Sequence, residues 1–153
     1  MIGKMDSQET ESARIRRLIS MSTTDIAADI RKELKMQLPG WVFSVRCPHY
    51  GAIDISLISG PRQIFTRDYT ESLLTGEKYP INGHLDIGNH FNPNWDNSIT
   101  SVLTREAANI LSKVFSICDR YNWDHSDLQS DYYDVHFYLS VEIGRWNKPY
   151  IVK

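Results

Sequence analysis

The clearest alternation of apolar and polar positions in this chain runs from residue 133 to residue 143. Tyr133, Val135, Phe137, Leu139, Val141 and Ile143 are apolar or aromatic, while Asp134, His136, Tyr138, Ser140 and Glu142 between them tolerate water. A β-strand sends successive side chains to opposite faces, so the segment predicts a long strand with one buried and one wet face. A one-residue slip would carry the large apolar groups into solvent, and that fixes the register.

Two segments carry a helical period instead. Ile26, Ile30, Leu34 and Leu38 recur every four residues behind Thr23 or Thr24 as the cap, with Asp25 in the first turn and Pro39-Gly40 as the stop. Arg31, Lys32 and Lys35 lie on the other side, toward the end where the helix dipole favours cations. From about 104 to 121, Leu103, Ala107, Ile110, Leu111, Val114, Cys118 and Tyr121 make a broad apolar stripe, with Thr104 as cap and Asn122 as terminator. Between the helices, Trp41, Phe43, Val45 and Cys47 alternate with polar or smaller residues. After Pro48-His49-Tyr50-Gly51, Ile53, Ile55 and Leu57 alternate again, which predicts a hairpin.

Residues 1–22 read as an extension, helical or flexible. Residues 62–98 are rich in turn formers and form an irregular insertion, the kind of long loop that commonly binds. A short apolar run, Tyr150-Ile151-Val152, predicts an edge strand folding back. Together these predict a two-layer α+β domain over 23–153. Its sheet is small and antiparallel, with three or four strands and two main helices packed on one face.

Composition changes this picture little. The 153 residues carry a formal net charge of −2, which supplies no global field for nucleic acid. Cys47 and Cys118 sit in apolar-patterned segments and are expected to be buried, with no paired spacing for zinc. The N-terminal stretch lacks an apolar signal core and no run approaches a membrane span, so a cytoplasmic protein with no membrane contact is expected.

Charge distribution is more informative. Asp119, Asp124, Asp127, Asp131 and Asp134 face one cation, Arg120, within sixteen residues, and Tyr132, Tyr133, His136 and Tyr138 lie close by. Ser126, Asp127, Ser130 and Asp131 suit turn capping. The functional alternative is a partner-binding surface made of Asp124, Asp127, Asp131, Tyr132, Asp134, His136, Tyr138 and Trp146. A second alternative is direct nucleic-acid binding through Arg31, Lys32, Lys35 and Arg46. A third is a divalent-metal-dependent hydrolase at Asp134 and His136, although the aspartate spacing fits no ion-loop motif. No nucleophile elbow, phosphate loop or dinucleotide fingerprint occurs, so no catalytic residue, resident metal or cofactor is assigned.

Two blocks bear a likeness to known sequences. The first is Ile26-Ala27-Ala28-Asp29-Ile30-Arg31-Lys32-Glu33-Leu34-Lys35, then Leu38-Pro39-Gly40-Trp41-Val42-Phe43-Ser44-Val45-Arg46 and later Gly60-Pro61. The second is Tyr121-Asn122-Trp123-Asp124-His125-Ser126-Asp127, followed by the alternating strand. Together they resemble one of the domain families associated with large polyvalent proteins of phages and conjugative elements, over roughly 24–145. The family pattern expects a Gly/Ser-rich run before the second strand, where this chain has only Tyr50-Gly51-Ala52. The resemblance implies an accessory protein of a mobile element that helps incoming DNA survive host defence, and it carries over no catalytic residues. The leading expectation is therefore a non-enzymatic binding module. It would be an anti-CRISPR or anti-restriction protein that occupies the surface of a protein partner, such as a host defence complex.

Overall fold

The structure is a computed structural model and describes residues 10–66, 83–89, 91, 102–122, 136–145 and 147–153. The elements run in the order α1 (Glu11–Ser20), α2 (Thr23–Gln37), β1 (Val42–Arg46), β2 (Ala52–Gly60), β3 (Leu85–Gly88), α3 (Arg105–Asp119), β4 (Tyr138–Ile143) and β5 (Ile151–Val152). The class is α+β, as the pattern predicts.

Each helix begins on a hydroxyl cap. Thr10, Ser22 and Thr104 accept from the backbone N–H groups of Ala13, Asp25 and Ala107, which would otherwise be unpaired. The α2 cap is thus Ser22, one residue before the expected threonines. The stripe of α2 (Ile26, Ala27, Ile30, Leu34) and that of α3 (Ala107, Ile110, Leu111, Val114, Ile117, Cys118) are buried in one core cluster. The opposite wall of that cluster is Val45 from β1, Ile53, Ile55 and Leu57 from β2, and Phe137, Val141 and Ile143 from the last long strand.

The sheet is larger than expected and mixed. Its order is β1-β2-β4-β3, and β5 pairs with β2 in line with β4. β1 and β2 form the expected antiparallel hairpin, but β2 and β4 run parallel, with Ile53 beside Leu139, Ile55 beside Val141 and Leu57 beside Ile143. A parallel pair needs a long crossover, and the stretch between β2 and β4, which contains α3, supplies it. β2 therefore sits at the centre, and Ser56 and Ser59 are buried along with its apolar residues. The expected irregular insertion also contains a strand: Leu85–Gly88 pairs antiparallel with β4. Ile151-Val152 folds back as a short edge strand, as expected, with the central β2 as its one partner among the described strands.

The alternation of the last long strand holds over 137–143. Phe137, Val141 and Ile143 are buried, whereas Tyr138 is exposed. The strand begins at Tyr138; residues 133–135 of the expected segment lie outside the described residues. Asn122 does not end α3, which is capped at Arg120. Instead its side-chain amide accepts from the Phe137 N–H (3.1 Å) and donates to the Phe137 carbonyl (3.0 Å), tying the helix exit to the strand entry. Cys118 is buried as expected, but Cys47 is exposed, because β1 ends at Arg46 and the next residue leaves the core face.

Candidate binding groove

Among the described residues, two concavities flank the helix layer. The larger, about 530 Å³, lies between α1 and α3 and is lined by Arg14, Ser112, Ser116, Asp119, Arg120 and the near-parallel rings of Phe91 and Phe115. The smaller, about 390 Å³, lies between α2 and β1 and is lined by Arg31, Leu34, Lys35, Trp41, Val42 and Phe43.

The smaller groove follows from local rules. Arg31, Leu34 and Lys35 share one flank of α2 through their spacings of three and four. Gly40, at φ +88°, turns the chain after the helix so that Trp41 enters the adjacent strand. Trp41 is held from two sides. A Cβ on Gly60 would stand 2.1 Å from the indole, so only glycine admits the ring there. The Arg62 guanidinium lies 5.8 Å from the ring centroid, in cation–π range. Arg62 is anchored in turn by Glu106 in the first turn of α3 and by the Tyr150 hydroxyl, which donates to the Arg62 carbonyl at 2.6 Å. The Arg62 guanidinium holds the Glu106 carboxyl below its usual range, and burial pushes the Tyr150 phenol up to about 12. Both groups keep the protonation state that fixes Trp41 throughout the neutral range.

The charges in the groove are differently engaged. Arg31 donates to the Val45 carbonyl at 2.8 Å. Lys35 has no hydrogen bond or ion pair among the described residues.

The opposite sheet face is polar. Ser44 (β1), Ser56 (β2) and Glu142 (β4) form a row across it, with the Ser56 hydroxyl donating to Glu142 at 3.0 Å. His84 Nε2 lies 3.5 Å from the other Glu142 oxygen, and Arg145 donates to Ser44. Gly144, at φ +64° and packed against the Gly83 carbonyl, breaks the alternation so that Arg145 falls over this row.

The expected residues divide among these places. Arg31 and Lys35 meet in the α2–β1 groove; Lys32 is exposed outside its lining, and Arg46 lies on the polar sheet face, 4.0 Å from Asp54. The four cations therefore form no continuous stripe. Tyr138 stands exposed at the end of the polar face. His136 does not join it there: it precedes the strand and meets the backbone of Leu18 and Met21 at the end of α1, where burial lowers its pKa. Asp124, Asp127, Asp131, Tyr132, Asp134 and Trp146 lie outside the described residues. Among the described residues no three His, Cys, Asp or Glu side chains gather to hold a metal ion. No described helix is long and apolar enough to cross a membrane.

Trp41 and Phe43 are the binding candidates that sequence reasoning passed over. Their signal was present in the strand alternation, but it assigned both to the core, whereas both are only partly buried.

The family model for large polyvalent protein associated domain 29 matches residues 21–108, more than half of the chain and the whole of this groove. Neither the curated proteins nor the solved structures contain a match.

Proposed function

The chain belongs to the family of large polyvalent protein associated domain 29, and on that premise we propose that it is a non-catalytic, protein-binding module of a mobile genetic element. It works in the cytoplasm by occupying the surface of a host defence complex of the anti-CRISPR or anti-restriction kind. The observation that carries this reading is the α2–β1 groove, where the indole of Trp41 is rigidly held beside an unengaged Lys35. Partly exposed aromatics beside an arginine are the composition of protein-interface anchors. A cation with no partner among the described residues remains free to pair with a complementary charge on another molecule.

Direct nucleic-acid binding is less well supported, because only two of its four cations share a surface. A salt titration separates the two readings, since phosphate contacts give a steep loss of affinity with salt. We expect no salt-steep binding to DNA or RNA.

The main test is affinity capture from host lysate with wild type and Lys35→Glu at matched thermal stability. A host protein held by the wild type and lost by the variant is expected; equal capture removes the groove as the contact surface. Expression in a restricting or CRISPR-bearing host should raise the survival of incoming DNA, and unchanged survival removes the anti-defence role.

A further inference from the structure

Among the described residues the outer edge of β1 has no strand beside it. β1 ends the sheet order and pairs only with β2 among the described strands. Residues of an antiparallel pair alternate between those whose N–H and C=O both face the partner strand and those whose groups both face away. The Val45 carbonyl is taken by a guanidinium from α2, so Val45, opposite Ile55, belongs to the second kind. Phe43, opposite Leu57 and two residues away, shares its phase. β1 therefore presents the N–H and C=O groups of Phe43 and Val45 outward, beside the groove. A flexible side chain, not a strand, now meets the Val45 carbonyl.

Resting on the groove reading above, we propose that the occupant is an extended acidic segment of a partner protein, which adds to the outer edge of β1 as a further strand. Charge selects among occupants. A second copy pairing β1 with β1 would bring the groove cations Arg31 and Lys35 of the two copies together. Glu33 on α2 is already bonded to Arg120 and Gln37. A phosphodiester chain lacks the alternating donors and acceptors that a free strand edge requires, whereas a peptide supplies them. Trp41, Phe43 and the half-exposed Val42 then receive alternate side chains of the incoming strand.

The exchange leaves no group unpaired. An N–H of the added strand takes the Val45 carbonyl, and the displaced Arg31 guanidinium takes a carboxylate of the same strand, a charge-assisted bond stronger than the one it leaves. Until then Arg31 covers the edge, as side chains on natural edge strands do against unwanted pairing.

The probe is a blocked, fluorescein-labelled octapeptide of alternating valine and glutamate, titrated against the whole protein. Binding is expected, with amide exchange at Phe43 and Val45 slowed at least tenfold while core amides stay unchanged. Lys35→Glu should weaken binding at least tenfold and restore it for the peptide with lysine in place of glutamate. Binding without protection of Phe43 and Val45 overturns strand addition and leaves the groove as a contact surface. No binding of the acidic octapeptide to the wild type also overturns strand addition. Failure of the broader reading registers elsewhere, as host capture insensitive to Lys35.

Discussion

The two grooves have similar ingredients and opposite states. The α1–α3 groove is the larger and holds two arginines, yet both are spent. Arg14 gives Nε and Nη2 to Glu11 and Nη1 to the Arg120 carbonyl, and Arg120 reaches Glu33 at 2.9 Å. That groove is a joint fastening α1 to the end of α3, and the end of α3 to α2. The α2–β1 groove is smaller, but among the described residues Lys35 is unengaged and Arg31 holds only the Val45 carbonyl. On the proposed reading, volume alone would rank them the wrong way round. Whether a charge already has its partner separates a surface that holds the fold together from one that can reach outward.

The strongest way to break this comparison is Gly60→Ala. The added methyl meets the Trp41 ring at 2.1 and 2.3 Å and the Tyr150 hydroxyl at 2.7 Å, so the indole has to move and the bond to Arg62 strains. Overpacking together with a weakened buried hydrogen bond should cost about 3 kcal/mol. Chemical denaturation measures that loss, and groove binding should vanish with it. A stable variant that still binds would show that Trp41 need not be fixed.

A paired test sharpens the contrast. Arg120→Ala removes the link to Glu33 and should lower stability by about 0.5 kcal/mol, the scale of a partly exposed ion pair, without altering binding. Lys35→Glu should leave stability within about 0.5 kcal/mol, as a surface change away from any buried network, and cost at least tenfold in binding, about 1.4 kcal/mol. Melting curves and one titration per variant decide it. Any crossover of effects, with Arg120→Ala harming binding or Lys35→Glu harming the fold, dissolves the distinction between joint and contact surface.

How far the chain could be read without coordinates depended on whether the signal was local. The helix stripes, the hydroxyl at the start of α3 and the alternation from Phe137 to Ile143 are set by neighbours a few residues apart, and they appear as expected. The parallel pairing of β2 with β4 was not evident, because alternation tells which way a side chain faces and not which strand lies alongside. The intervening helix was the available clue, since a crossover that long permits parallel pairing. β3 was missed because it offers only Leu85 and Ile87 between turn formers, and its stability comes from pairing with β4. Cys47 was misjudged by extending the β1 alternation one residue too far. Labelling with iodoacetamide in the native state should therefore modify Cys47 readily. Cys118, whose thiol burial pushes up to about 12, should react only on unfolding. The groove needed tertiary information throughout: nothing in the local pattern says that Trp41 meets Gly60, or that Arg31 reaches Val45.

The smallest expected effect concerns the fastening of α1 at its other end. His136 lies against the backbone of Leu18 and Met21, and burial holds its imidazole below the ordinary value of 6.5 while those backbone groups pull it back up. As pH falls through 6.5, the unfolded chain takes up this proton before the folded one does. Stability from this residue is thus full above 6.5, declines on acidification, and levels off once the folded imidazole is protonated too. The side chain is partly exposed, so solvent screening keeps the decline shallow. His136→Asn removes the titration but leaves the other carboxylates and histidines as a common background. The difference in melting temperature between wild type and variant should therefore move against the wild type between about pH 7 and pH 5. Parallel curves would mean that His136 meets α1 without feeling its burial. Because His136 is remote from Lys35 in the fold, loosening this joint should leave the affinity of the α2–β1 groove unchanged, and a loss of binding in His136→Asn at pH 7 would couple the two grooves.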